Sequence, residues 1–422
     1  MEAKELLIQL VQAKTVNDEQ NEWVGIDVLG RWLTERGLHY DIYESPHHRP
    51  NLVAKITKTT HESCEPPLIL LSHMDVVATN DEEWTYPPFQ GIQAEGAIWG
   101  RGTLDTKQLT AMHAEAFYKA SKQLNRTRDI YFIVTADEEN GSKEGMEFLS
   151  KAMNHIFTDA LVLSEGGGFL LNNDLTNESY MLYANSEKGS ANLRLSFERE
   201  GGHAAAPPNE FVIVELIETI NYLAKHLEAS VENQDLFGYQ SSLNAFLESS
   251  HHTSEHELAS RLKEYMKNVT MKIPPFKVGG NSVNVLPTQA EITLELRVLP
   301  EMTASQLEES INCLLDRNKV SWEIISFHPG YQNQPRDSMV PIFEEVAKEL
   351  GFHGEWIPFT ALGRTDGRFI AKEATCIYGI SPTMTSFTEV LKRVHQTDER
   401  IEIDSFEFGS MWMDRVVARA CE

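Results

Sequence analysis

The sequence predicts an α/β protein of two domains. The larger has a central, mostly parallel sheet flanked by helices, and a smaller α+β two-layer domain is inserted into it. Three observations carry this expectation. Apolar runs at 68–71, 129–135 and 160–163 each stop abruptly at polar or acidic residues. Between the first two, Leu109, Met112, Ala116, Phe117 and Ala120 recur at helical spacing, which is the strand–helix–strand plan of a buried sheet. From Ser190 the pattern changes to the strict alternation of a half-exposed strand.

Taken in order, Met1 to Val16 reads as an amphipathic helix with Leu6, Leu7, Leu10 and Val11 on one side. Leu68 to Leu71 is the first buried strand, Thr106 to Leu124 the long helix, and the strands at 129–135 and 160–163 complete the first α/β stretch. Residues 190–198 alternate as a strand, Phe211 to Leu227 reads as a helix, and Glu291 to Val298 alternates again. A helix near 305–315 and a strand near 320–326 follow, so this part is expected to be a small antiparallel sheet covered on one face. The α/β character resumes near Arg336. The expected division is 1–189 and 331–422 for the two parts of the larger domain, with 190–330 inserted.

Composition narrows the function. With 422 residues, 41% hydrophobic and 24% charged, the chain has the make-up of a folded globular protein. Lys plus Arg number 37 against 63 for Asp plus Glu, and a formal net charge of −26 argues against nucleic acid or an anionic membrane as partner. No apolar stretch approaches the ~20 residues that span a bilayer. Cys64, Cys313, Cys376 and Cys421 are scattered without metal-binding spacing, which suits a reducing, cytoplasmic compartment.

Ligand-type residues sit where the apolar elements stop. His73 and Asp75 follow the first strand and, two apart, share a face. Asp105 opens the long helix, Asp137-Glu138-Glu139 closes the second strand, Glu165 closes the third before three glycines, and His395 lies near the C-terminus. Each alone has a plain reading: a helix cap, a solvated loop, a surface histidine. Several strands ending in such groups on the edge where α/β proteins bind ligands point instead to one site. Imidazole with carboxylate suits zinc, and several carboxylates can hold two ions.

At this point the chain resembles the co-catalytic zinc hydrolases that include aminoacylase, glutamate-type carboxypeptidases, acetylornithine deacetylase and succinyl-diaminopimelate desuccinylase. The resemblance runs in order through Ser72-His73-Met74-Asp75-Val76-Val77, Trp84 to Phe89, Gly100-Arg101-Gly102 with Asp105 and Lys107, and Asp137-Glu138-Glu139. It continues through Glu165-Gly166-Gly167, Gly201-Gly202-His203, Arg297, and His395 with Glu399.

The resemblance implies two zinc ions per subunit, with cobalt or manganese as substitutes. Asp105 would bridge them, His73 and Glu165 completing one site and Glu139 and His395 the other. Asp75 would hold His73 in one orientation. Glu138 would be the general base that deprotonates a bridging water for attack on an amide carbonyl, then protonates the leaving amine. The implied substrate is a small peptide or N-acyl amino acid with a free carboxylate. The inserted domain would act as lid and dimerisation domain of a homodimer, His203 stabilising the oxyanion, Arg297 clamping the substrate carboxylate and Asn284 adding an amide nearby. Gln108, Ala204, Ala205 and Arg364 depart from the family pattern at positions that bear on substrate choice.

Two competing readings remain. A non-catalytic ligand-binding protein retaining the same fold would lack ligands or base, and none is missing here. A phosphate loop at Gly100 to Lys107 lacks the Gly-Lys-Ser/Thr end that such a loop needs. His47, His48, His251, His252 and His256 lie on turns or polar stretches and carry no metal expectation.

Overall fold

The computed structural model describes residues 3–60, 65–173, 175–199, 211–227, 239–250, 254–275, 287–333 and 339–422, and it divides into two compact units. The first comprises 1–185, 241–259 and 333–422; the second comprises 186–240 and 260–332.

The first unit is built on one large mixed sheet. Its strands run in the order Tyr40–Glu44, Pro50–Ile56, Ile130–Thr135, Leu68–His73, Leu161–Ser164, Cys376–Gly379 and Glu178–Glu187. Ile130–Thr135, Leu68–His73, Leu161–Ser164 and Cys376–Gly379 are mutually parallel, and antiparallel strands flank them. Parallel strands covered on both faces read as continuous apolar runs, and every residue of Leu68–His73 is buried.

The helix Lys107–Ser121 packs on the strand Leu68–His73 and against the helices Ala3–Gln12 and Ile403–Ala420. Its Leu109, Met112, Ala116, Phe117 and Ala120 are all buried, as their spacing predicts. Behind it, Trp412 stacks on Trp356 with ring centroids 5.4 Å apart and donates its indole N–H to the Phe343 carbonyl at 3.1 Å. Each such buried aromatic contributes roughly 1.5–3 kcal/mol by leaving water.

The second unit holds a four-stranded antiparallel sheet in the order Thr270–Lys272, Gln289–Val298, Gly189–Glu198 and Ser321–His328. Leu193, Leu195, Ile292, Leu294 and Leu296 point inward and pack against Leu216, Ile220 and Leu223 of the helix Val212–His226 and Leu307 and Ile311 of the helix Ala304–Leu314. Thr303 and Gln306 close a reciprocal capping box at the start of the latter. Among the described residues no helix is long and apolar enough to cross a membrane.

Candidate metal centre

The parallel strands deliver their ligand-type residues to a common edge. His73 ends its strand in register with Thr135, two residues before Asp137, and Glu165 follows Ser164 at the end of the next strand. The chain must then turn at once: a Cβ on Gly167 would lie 2.4 Å from the Gly379 carbonyl, so the glycines after Glu165 are there for backbone approach. Asp105 stands two residues before the helix Lys107–Ser121, and the Asp105–Thr106 peptide is cis. His395 occupies a left-handed turn position (φ 60°) beyond the helix Phe387–Leu391.

These residues meet around Asp105. Its Oδ1 lies 3.2 Å from His73 Nε2 and its Oδ2 3.0 Å from His395 Nε2. Glu165 Oε2 is 3.4 Å from the first imidazole and Glu139 Oε2 3.3 Å from the second. Ligand atoms of His73, Asp105 and Glu139 all lie within 4.8 Å of one another, as do those of His73, Glu138 and Glu165.

The electrostatics favour a cation here. Burial alone would raise Asp105, yet hydrogen bonds from His395 and His73 outweigh it and hold its carboxyl far below the usual range. Hydrogen bonds to Asp105 and Glu139 push His395 up to about 10. Burial, then the Asp105 charge, raises Glu139 to about 7, and its Oε1 is buried without a hydrogen-bond partner among the described residues. More carboxylates converge than two imidazoles can balance, and that donor set fits one or two divalent ions.

Asp75 lies against His73, and its contacts reach further. Its carboxylate stands 3.6 Å from His73 Nδ1, an ion-pair distance, while its backbone carbonyl, 2.9 Å away, aims the ring. The carboxylate oxygens are occupied otherwise: Oδ1 accepts from Glu138 N at 3.1 Å, and Oδ2 from Glu139 N at 3.0 Å and Asn17 Nδ2 at 2.6 Å. One aspartate therefore anchors both the histidine and the glutamate pair. Glu138 is pushed well above the usual carboxylate range, first by desolvation and then by the charge of Glu165.

The surrounding loops explain other motif residues. Glu399 is fully buried, pairs with Arg101, and accepts from Gly102 N at 3.0 Å and Leu104 N at 2.8 Å, so it holds the segment leading to Asp105. The amides that a phosphate loop would offer are thus directed at a carboxylate. Lys107 is buried and donates to the carbonyls of Leu10 and Ala13, both at 2.8 Å, tying down the N-terminal helix. Burial pushes its ammonium down to about 7.

Arg297 lies in the second unit on Gln289–Val298, its guanidinium 2.8 Å from Glu295 Oε1. His203 and Asn284 lie outside the described residues. Sequence reasoning passed over Asn17 and Arg49, and took Asp366 only as part of the stretch Gly363 to Arg368, which resembles a substrate-side loop of the family. Asp366 is buried and accepts from Thr135 Oγ1 at 2.5 Å, and its charge helps to raise Glu138. Nothing in local pattern marks these residues, because their partners lie far away in sequence.

The model of peptidase family M20/M25/M40 matches residues 69–419. The chain is 28% identical over 370 residues to the N-fatty-acyl-amino acid synthase/hydrolase PM20D1 of Homo sapiens, covering 81% of this chain and 71% of that protein. It is 25% identical over 420 residues to the succinyl-diaminopimelate desuccinylase of Hydrogenovibrio crunogenus, covering 96% and 95%. In fold it is similar to an M20 family metallo-carboxypeptidase from Sulfolobus solfataricus, with a TM-score of 0.68 at 17% identity over 99% and 98% of the two chains. With the family model spanning most of its length, the chain belongs to peptidase family M20/M25/M40, as a metal-dependent amidohydrolase.

Proposed function

We propose that the protein is a zinc-dependent hydrolase that cleaves the amide bond of a small peptide or N-acyl amino acid carrying a free carboxylate. The observation that carries this reading is the divided carboxylate of Asp105, one oxygen toward each histidine, with Glu138 gathered to His73 and Glu165. His73, Asp105 and Glu165 would hold one ion and Asp105, Glu139 and His395 the other; cobalt or manganese could replace zinc in such a donor set. Bound there, the ions supply Lewis acidity to water and carbonyl. Glu138 takes a proton from the attacking water at a carboxylate oxygen, the water oxygen joins the carbonyl carbon, and Glu138 returns the proton to the amine nitrogen as the C–N bond breaks. Its raised pKa suits a group that must hold and then release that proton.

The substrate class rests on the names of the relatives, an N-fatty-acyl-amino acid synthase/hydrolase and a desuccinylase. Residues 190–330 would serve as lid, with Arg297 receiving the substrate carboxylate, Asn284 adding an amide and His203 donating to the oxyanion. A homodimer through this domain is supported by the helix Val212–His226, which buries Leu216 and Ile220 yet exposes Val214, Ile217 and Tyr222. The four cysteines, scattered along the sequence without metal-binding spacing, suit the cytoplasm. The test is a screen of N-acyl amino acids and dipeptides with zinc, cobalt or manganese added. Cleavage that requires both the metal and the free carboxylate is expected, and equal cleavage of carboxyl-amidated analogues would overturn the substrate assignment.

A further inference from the structure

The loop bearing Glu138 and Glu139 is fastened by a buried line of charge that the chemistry above does not use. Arg49, immediately before the strand Pro50–Ile56, has a side chain only 4% exposed. Its Nη1 lies 3.1 Å from Asp137 Oδ1, and its Nη2 is hydrogen-bonded to Oε1 of Glu22, which is itself fully buried at the start of the helix Trp23–Glu35. Asp137 accepts from Glu144 N at 3.0 Å through its second oxygen and from Ser142 N at 2.6 Å through its carbonyl.

Asp137 adopts a left-handed backbone conformation, φ 64°, which a non-glycine residue takes up only when its surroundings hold it there. That conformation opens the turn on which Glu138 and Glu139 sit. On the other side Asn17 Nδ2 joins Asp75, at 2.6 Å, to Asp137, at 3.4 Å, and Asp75 accepts both glutamate amides. The pair is thus held between two carboxylates, one of them held by Arg49.

We propose that Arg49, backed by Glu22, is a positioning residue for the Glu138–Glu139 turn: through Asp137 it sets where the base and its neighbouring metal ligand stand. This rests on the reading of Glu138 as base and Glu139 as ligand. Stability alone does not account for the arrangement. A buried ion pair gives little net stability over apolar residues of the same volume. This one also leaves Arg49 Nε and Glu22 Oε2 buried without hydrogen-bond partners among the described residues. What the two-pronged guanidinium does supply is direction, since it holds two carboxylates at once, which a lysine cannot do in the same geometry.

The test compares Arg49→Met, Arg49→Lys and Glu22→Gln with the wild type in purified, folded protein. Displacing a reacting group by about 1 Å costs up to ~100-fold in rate. Arg49→Met is therefore expected to lower kcat roughly 10- to 100-fold with KM within about twofold, and Arg49→Lys to recover part of the loss. The second readout needs no turnover: metal-free protein is titrated with Co2+ and its visible absorption recorded. The variant is expected to bind the second equivalent roughly 10- to 100-fold more weakly and with an altered spectrum, as when outer partners of ligands are removed. Wild-type kcat and an unchanged cobalt spectrum in Arg49→Met would overturn the proposal. So would losses that merely follow the fraction of unfolded protein. If Arg49→Met does not fold, Arg49→Lys and Glu22→Gln are judged by the same two readouts. A wild type that cleaves no substrate in the screen defeats the functional reading, whereas the cobalt titration still decides the role of Arg49.

Discussion

Asp105 and His395 meet at 3.0 Å, Oδ2 to Nε2, although one precedes the long helix of the first half and the other lies near the chain's end. The remaining oxygen of Asp105 faces His73 at 3.2 Å. A carboxylate divided in this way can join two metal positions, and most of the testable behaviour follows from it.

Removing metal should abolish activity and reduce stability together. The site gathers carboxylates in excess of cations, so a bound ion relieves their repulsion and ligates only the folded chain. A ligand present at ~1,000 times its dissociation constant stabilises by about 4 kcal/mol. Dialysis against a chelator is expected to lower the melting temperature and eliminate amide hydrolysis, with both restored by zinc. Full activity in metal-free protein would contradict the assignment.

Glu138→Gln keeps the backbone amide that Asp75 accepts at 3.1 Å, so the turn should survive. The amide side chain cannot carry a proton from water to amine. The expected loss in kcat is roughly 10²- to 10⁴-fold, the usual range for a general base, with two metal ions still bound. Metal analysis alongside steady-state kinetics checks both halves.

Glu399→Ala should destabilise the protein strongly while touching no substrate. Glu399 is fully buried and receives Arg101 and two backbone amides, so its removal leaves a buried guanidinium without its carboxylate. Breaking such a pair from one side costs about 3–5 kcal/mol. Denaturant unfolding of the variant measures it. Because the same carboxylate holds the segment leading to Asp105, metal affinity is expected to fall as well.

His113 gives the stability curve an acid limb. It is fully buried in the helix Lys107–Ser121, neither ring nitrogen has a hydrogen-bond partner among the described residues, and burial pushes its pKa down to about 3. Above the unfolded-chain value near 6.5 both states are neutral, and this group's stability is fully present. As pH falls below 6.5 the unfolded chain binds a proton that the folded one refuses, so stability is lost progressively until about pH 3. Between pH 6.5 and 5 the loss from this residue is about 2 kcal/mol. His113→Met should flatten that part of the curve; identical slopes for variant and wild type would exclude His113 as its source.

Much of the fold was legible in the residues themselves, because periodicity is a local property. The apolar run at Leu68–Leu71, the helical repeat from Leu109 to Ala120 and the alternation after Ser190 each report which face is buried, and the structure has a strand, a helix and a strand there. Ligand-type residues at strand ends were visible for the same reason. The further contacts of Asp75 were not legible, because they depend on what approaches it in the fold. In the folded chain its oxygens receive the amides of Glu138 and Glu139 and the side chain of Asn17, and its own carbonyl aims His73.

Arg49 shows the limit most clearly. In sequence it is one residue of a polar turn, Ser45-Pro46-His47-His48-Arg49-Pro50, with nothing to distinguish it. Sequence by itself determined the two-part α/β plan and the residue types gathered at the edge of the parallel sheet, since hydrophobic spacing and side-chain chemistry are written locally. Only the tertiary structure decided that Asp105 faces both histidines and that Arg49 stands between Glu22 and Asp137. Those pairings join segments far apart in the chain, and a long-range contact between two charges leaves no periodic trace in either segment.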